Sequence, residues 1–280
     1  MQQENRADER KSAPIGVFDS GVGGLTVVRE IMRQIPNESI CYFGDTARVP
    51  YGNKSKETVT RFSRQIVRFL QNHQVKTIVV ACNTASAYAL DELEKEIDIP
   101  IIGVVKPGAK TATEVTRNGK IGVIATEGTI GSGIYNKYIQ ELKSDVTIYG
   151  KACPLFVPLV EEGLWQDPVT DEIARRYLAE LIDSGIDTLI MGCTHYPLIR
   201  STLGRIIGED VTLVNPAYET ALELKAMLKE REILNDQPHE LGSDQYHFYV
   251  SDGAEKFKRF ANSIIKYGIL SAKTINIEEY

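Results

Sequence analysis

Two cysteines stand where a thiol could do chemistry. Cys82 ends the run TIVVAC that opens at Thr77, and Cys193 ends TLIMGC, which opens at Thr188. Small polar residues follow both. A short Val/Ile/Leu-rich run bounded by polar residues reads as a buried strand, and in an open α/β sheet ligands bind beyond the carboxyl ends of the strands. A thiol placed there, close to where a helix can begin, meets unpaired backbone N–H groups and a positive dipole end, which lower its pKa and favour a thiolate. Both thiols are therefore candidate bases. Two at matching positions suit inversion at a carbon: one thiolate removes a proton and a thiol on the opposite face returns one. A hydrolase would ask instead for one nucleophile, one base and an oxyanion hole. Cys41, inside a strand, and Cys153, before Pro154, lack such a counterpart and read as small buried hydrophobes.

Polar groups surround the two thiols. Asn83, Thr84, Thr194 and His195 can hydrogen-bond an ammonium or a carboxylate, and His195 can also carry a proton. Asp19 and Ser20 end another strand ahead of Gly21, Gly23 and Gly24, so that loop offers a carboxylate and backbone N–H donors. It does not match a nucleotide loop: a dinucleotide fingerprint needs Gly where Thr26 stands, and the Gly-Lys-Ser/Thr ending of a phosphate loop is absent. Asp45 and the turn Pro50-Tyr51-Gly52 follow the next strand, on the same expected rim. The chain has no CxxC pair, and the gap between Cys193 and His195 is not that of a zinc ligand pair, so neither a disulfide nor a metal is expected.

These residues need alternating strands and helices to position them. Apolar runs at 15–18, 39–43, 77–81 and 101–105 alternate with amphipathic stretches, the pattern of βα units around a mostly parallel sheet. Val59, Phe62, Ile66, Phe69 and Leu70 share one face of a helix over 55–72. Ile173, Tyr177, Leu178, Leu181 and Ile182 form a second stripe, with Thr170 as N-cap and Gly185 just past the end. A helix over 84–97 begins close to Cys82. The segment IGVFDS at 15–20 returns as IGVIAT at 121–126, and TIVVACNTAS at 77–86 returns as TLIMGCTHYP at 188–197. Ile15 precedes Cys82 by 67 residues and Ile121 precedes Cys193 by 72. The fold class is α/β: two similar domains, each a mostly parallel sheet flanked by helices, related by pseudo-twofold symmetry, with the site in the cleft between them. The crossover falls near 105–108, where Pro107 interrupts the pattern. A last strand at 246–250 and a helix at 253–267, with Phe257, Phe260, Ile264 and Ile265 on one face, require a surface to pack on. Residues 1–13 read as a polar tail with no role.

Composition excludes several classes. A net charge of −6 with no block of Lys and Arg excludes a nucleic-acid partner. No run approaches the ~18 apolar residues of a membrane span, and residues 1–13 lack the apolar stretch of a signal peptide, so a cytoplasmic location away from membranes is expected.

With DSGVGG, VPYG, ACNTAS and GCTHYP in this order, the chain resembles the glutamate racemases of the aspartate/glutamate racemase family, from about Pro14 to the C-terminal helix. The resemblance implies a cofactor-independent interconversion of L- and D-glutamate, supplying D-glutamate for bacterial peptidoglycan. It implies that Cys82 deprotonates D-glutamate and Cys193 L-glutamate, with Asp19 and His195 assisting and Glu161 a further helper. It implies substrate contacts from Asp19, Ser20, Tyr51, Gly52, Asn83, Thr84, Thr194 and His195. It also implies a first domain of 14–106 completed by 215–280, with 107–214 as the second. A homodimer is expected. Two other readings stand beside this one: a racemase of aspartate or another acidic amino acid, and a non-catalytic amino-acid-binding module with the same cleft, against which the paired thiols argue.

Overall fold

The computed structural model describes residues 10–237, 245–265 and 271–280. Its strands, in chain order, are β1 (Ile15–Asp19), β2 (Ile40–Gly44), β3 (Thr77–Val80), β4 (Ile101–Gly103), β5 (Lys120–Ala125), β6 (Thr147–Ala152), β7 (Thr188–Gly192), β8 (Thr212–Val214), β9 (Tyr246–Val250) and β10 (Lys273–Thr274). They form two sheets, one of order β10-β9-β2-β1-β3-β4 and one of order β6-β5-β7-β8. Every pairing is parallel, so the connections cross over, mostly through helices, and cover both faces of each sheet. That is why β1, β2, β3 and β7 are buried at every position and read as unbroken apolar runs. No helix of the described residues is long and apolar enough to cross a membrane.

The repeat in the sequence is a repeat of topology. The order β2-β1-β3-β4 in the first sheet matches β6-β5-β7-β8 in the second. The register matches too: Ile15 faces Thr77 across β1 and β3, and Ile121 faces Thr188 across β5 and β7. The cysteines follow these threonines at equal spacing, so they leave the carboxyl ends of corresponding strands.

The helix Lys56–Asn72 forms as the spacing requires, with Ser55 as its N-cap and Val59, Phe62, Ile66, Phe69 and Leu70 buried. Other boundaries moved for identifiable reasons. The helix Pro168–Asp183 is capped by Asp167, not Thr170: the Asp167 carboxylate accepts from the Val169 amide at 2.9 Å, and Pro168 occupies the first position, where no amide is needed. Thr170 sits inside the first turn and donates to the Leu164 carbonyl. The strand expected to reach 105 stops at Gly103, because Val105–Val115 is a helix with Pro107 in its first turn. There the missing N–H costs nothing. The proline thus starts the crossover to the second sheet. The stretch 84–97 divides into Asn83–Tyr88 and Leu90–Glu96.

The C-terminal strand packs on the first sheet, with β9 parallel to β2. Phe257, Ile264 and Ile265 from the helix Ala254–Ile264 and the residue after it enter the core that holds Val17, Val28 and Phe248, and Phe260 packs against it partly buried. Residues 266 and 267 of the expected helix, and residues 1–9 of the polar tail, lie outside the described residues. Trp165, Leu198 and Phe260 touch both this core and the principal core of the second unit, joining the two.

At the amino ends of the strands, away from the thiols, Lys76 and Glu38 form an ion pair of 2.6 Å with both side chains wholly buried. Lys76 also donates to the carbonyls of Lys11 and Ile233, and Glu38 accepts from the Asn235 amide at 2.8 Å. This pair joins four segments of the chain, around residues 11, 38, 76 and 233–235. Removing one partner of a buried pair leaves a charge without its counter-charge, at a cost of about 3–5 kcal/mol. Lys76→Met should lower the unfolding free energy in urea by that amount. A loss below about 1 kcal/mol would show that the pair does not anchor the fold.

Candidate active site

The first thiol lies just beyond β3 and caps the helix that follows. Cys82 Sγ accepts from the Ala85 amide at 3.5 Å, and Ser20 Oγ lies 3.7 Å from it. The expected helix N-terminus is present, but the expected fall in pKa is not. Burial, followed by the negative charge of Asp19, pushes the Cys82 thiol up to about 12, and the cap amide and Ser20 offset this only in part. Desolvation of a buried sulfur outweighs two long hydrogen bonds.

The second thiol has a different surround. No helix begins at Cys193: the short turn Tyr196–Ile199 comes first and the helix Arg200–Ile207 only after it. Its neighbour is an imidazole, with His195 Nδ1 3.8 Å from Sγ and Nε2 3.1 Å from Glu161 Oε1. Burial works against the imidazolium, yet the hydrogen bonds to Cys193 and Glu161 and the charges of Cys193 and Asp19 outweigh it and raise His195 to about 10. The same bond holds the Glu161 carboxyl below its usual range. The relay Cys193, His195, Glu161 therefore keeps a proton beside one sulfur.

Asp19 ties the units together. It is fully buried, and burial raises its carboxyl against the pull of His195 and of the amides of Gly21 and Gly24. It accepts from Gly21 N at 3.0 Å and from Thr194 Oγ1 at 3.4 Å, the latter across the two units. Thr26, the residue that rules out a dinucleotide loop, donates its hydroxyl to the Thr194 carbonyl at 2.8 Å. A Cβ on Gly23 would stand 2.3 Å from Thr194 Oγ1 and 2.5 Å from His195 Nδ1. Only glycine allows the two strand-end loops to approach this closely.

One cavity between the units is lined by both thiols and by Ser20, Tyr51, Gly52, Asn83, Thr84, Thr194, His195 and Glu161. The structure thus brings the expected site residues to one cavity except Asp19, which is fully buried behind Gly21 and Thr194 and does not line it. Tyr51 gives its hydroxyl to Asp45, which also accepts from Arg48 Nε and Ser251 Oγ at 2.8 Å each. Cys41 and Cys153 are buried in the cores that also hold Cys82 and Cys193, and neither lines the cavity. Thr126 and Val157 line the cavity without having been singled out. Thr126 had a signal, since IGVIAT sets it opposite Ser20 of IGVFDS. It meets Thr84 Oγ1 at 2.9 Å across the cleft. Among the described residues no lysine or arginine lines the cavity, so an anionic group bound there relies on the protonated His195 and on hydroxyls, amides and backbone N–H groups.

The fold and the site define a class: a two-unit parallel α/β enzyme whose shared cavity holds a thiol from each unit. The chain belongs to the Asp/Glu/Hydantoin racemase family, whose model matches residues 15–223, and as a racemase it is an isomerase. It is 50% identical over 251 residues to a glutamate racemase of Geobacter metallireducens, covering 90% of this chain and 92% of that one. The crystal structure of glutamate racemase isoform RacE1 from Bacillus anthracis superimposes with a TM-score of 0.90 at 43% identity, covering 95% of this chain and 98% of that one. That of a Francisella tularensis glutamate racemase in complex with D-glutamate gives 0.89 at 37% identity, covering 96% of this chain and 100% of that one.

The His195 environment carries a pH signature. Its folded value, about 10, exceeds the ordinary ~6.5, so the protonated ring favours the folded state. That contribution is complete below about pH 6.5 and is lost as pH rises through about 10. The stability difference between wild type and His195→Asn, measured in urea, should shrink steadily across this window. A difference independent of pH would mean that the ring is neutral.

Proposed function

We propose that this chain is a cofactor-independent glutamate racemase that moves protons between Cys82 and Cys193. The observation that carries the reading is one cavity lined by two thiols from corresponding strand ends. The choice of glutamate rests on relatives named as glutamate racemases, one of them at 50% identity and one solved with D-glutamate.

In the L-to-D direction the α-carbon C–H bond breaks and its proton passes to Cys193 Sγ, beside which His195 places positive charge. The electron pair left behind is delocalised into the α-carboxylate. Cys82, which its surroundings keep protonated, then delivers its proton to the opposite face. The reverse reaction starts from the Cys82 thiolate, so each sulfur serves as base for one enantiomer and acid for the other. Asp19 assists at Cys82, and His195 with Glu161 at Cys193. Ser20, Gly52, Asn83, Thr84 and Thr194 hold the two carboxylates and the ammonium group.

The reading extends to a first domain of 14–106 plus 215–280 and a second of 107–214. Its product would be D-glutamate for bacterial peptidoglycan, made in the cytoplasm by a homodimer.

Incubated in deuterated water without cofactor, L- and D-glutamate should both lose their circular dichroism and gain deuterium at the α-carbon. Decay of aspartate but not glutamate would keep the chemistry and change the substrate, whereas silence on every acidic amino acid would leave a binding module. Cys82→Ser and Cys193→Ser should each lower turnover in both directions by about 10²–10⁴-fold with an unchanged far-ultraviolet spectrum. Cys41→Ser and Cys153→Ser should remain within about two-fold of wild type, since neither sulfur reaches the cavity.

A further inference from the structure

We infer that Tyr135 is a positioning residue, whose hydroxyl holds the Asn83 amide so that its nitrogen, not its oxygen, meets a carboxylate of the substrate. This deepens the racemase reading and rests on it. Tyr135 belongs to the helix Ile134–Leu142 of the second unit and is 2% exposed. Its hydroxyl donates to Asn83 Oδ1 at 2.7 Å, across the cleft to the residue that follows Cys82. Its ring lies against the residue that precedes Cys193, since a Cβ on Gly192 would stand 3.0 Å from Tyr135 Cε2. One buried side chain therefore spans from the turn of the first thiol to the turn of the second.

The hydrogen-bond inventory gives this contact its consequence. An asparagine offers one acceptor oxygen and two N–H donors, and a carboxylate only accepts. With Oδ1 held by the Tyr135 hydroxyl, the amide nitrogen is the donor end that Asn83 can offer a carboxylate in the cavity it lines. Turned the other way, its oxygen would face the carboxylate and repel it. With His195 the one cationic side chain among the cavity's described lining residues, each neutral donor counts for more. Burial and the nearby charge of Cys193 suppress ionisation of the phenol, so it stays a donor throughout the working pH range.

Tyr135→Phe keeps the ring against Gly192 and removes only the hydroxyl. It should lower kcat/KM for both enantiomers by about ten-fold, mainly through KM, because a carboxylate contact serves bound substrate and transition state alike. Added to Asn83→Ala, it should cause no further loss, because its effect passes through that amide. An unchanged KM in Tyr135→Phe, or a loss that persists in full on the Asn83→Ala background, would overturn the inference. The contact also has a readout that needs no turnover. In protein labelled with ¹⁵N-asparagine, the side-chain amide signal missing from Asn83→Ala should shift in Tyr135→Phe. A wild-type protein inactive on glutamate would defeat the racemase reading, while an unmoved amide signal would defeat the Tyr135 contact itself.

Discussion

Two parallel sheets can share a site only if their carboxyl-terminal loops meet, and here they meet at Gly23. The absent side chain lets Thr194 and His195 of the second unit press against the first. Bonds from Thr26 to the Thr194 carbonyl and from Thr194 to Asp19 then lock the seam. Much of the site's geometry follows from that approach. Both thiols open into one cavity, Asp19 comes within electrostatic reach of His195, and Tyr135 reaches Asn83 from the other side. A methyl group at Gly23 would have to push the loops apart, and with them the two sulfurs.

The duplicated scaffold carries unlike chemistry on its two sides. Strand order and register are the same, yet the position of Asp19 in the first unit is held by Ala125 in the second, and that of His195 by Thr84 in the first. The result is a buried carboxylate at the end of one strand and an imidazole with a raised pKa beyond the end of the other. Desolvation and Asp19 keep the Cys82 sulfur protonated, whereas His195 and Glu161 surround Cys193 with a proton relay. The proposed proton transfer between the two sulfurs would gain from such a difference, since at any moment one must hold a proton and the other accept it.

Much of the molecule is a consequence of local patterning. The apolar runs that became β1, β2, β3 and β7 were legible because strands buried on both faces need apolar residues throughout. The stripe of Lys56–Asn72 was legible because a helix face repeats on a helical period. Helix caps were less so: Asp167 and Thr170 both suit the role, and the adjoining Pro168 decided for the aspartate. The polar residues of the site could be named because they cluster around two repeated strand ends. Thr126 shared that signal through the repeat, while Tyr135 had none, being one aromatic on an amphipathic helix.

By itself, the sequence determined a duplicated α/β architecture and a set of thiols, hydroxyls and amides at the ends of matching strands, since periodicity, turn chemistry and repeats are properties of neighbouring residues. Only the tertiary structure decided how those groups behave. The Cys82 thiol is pushed up rather than down, His195 is drawn into a relay with Glu161, and Asn83 is turned by a phenol from the other unit. Burial and charge–charge distance depend on what the second unit brings to the first, across separations that no local pattern records.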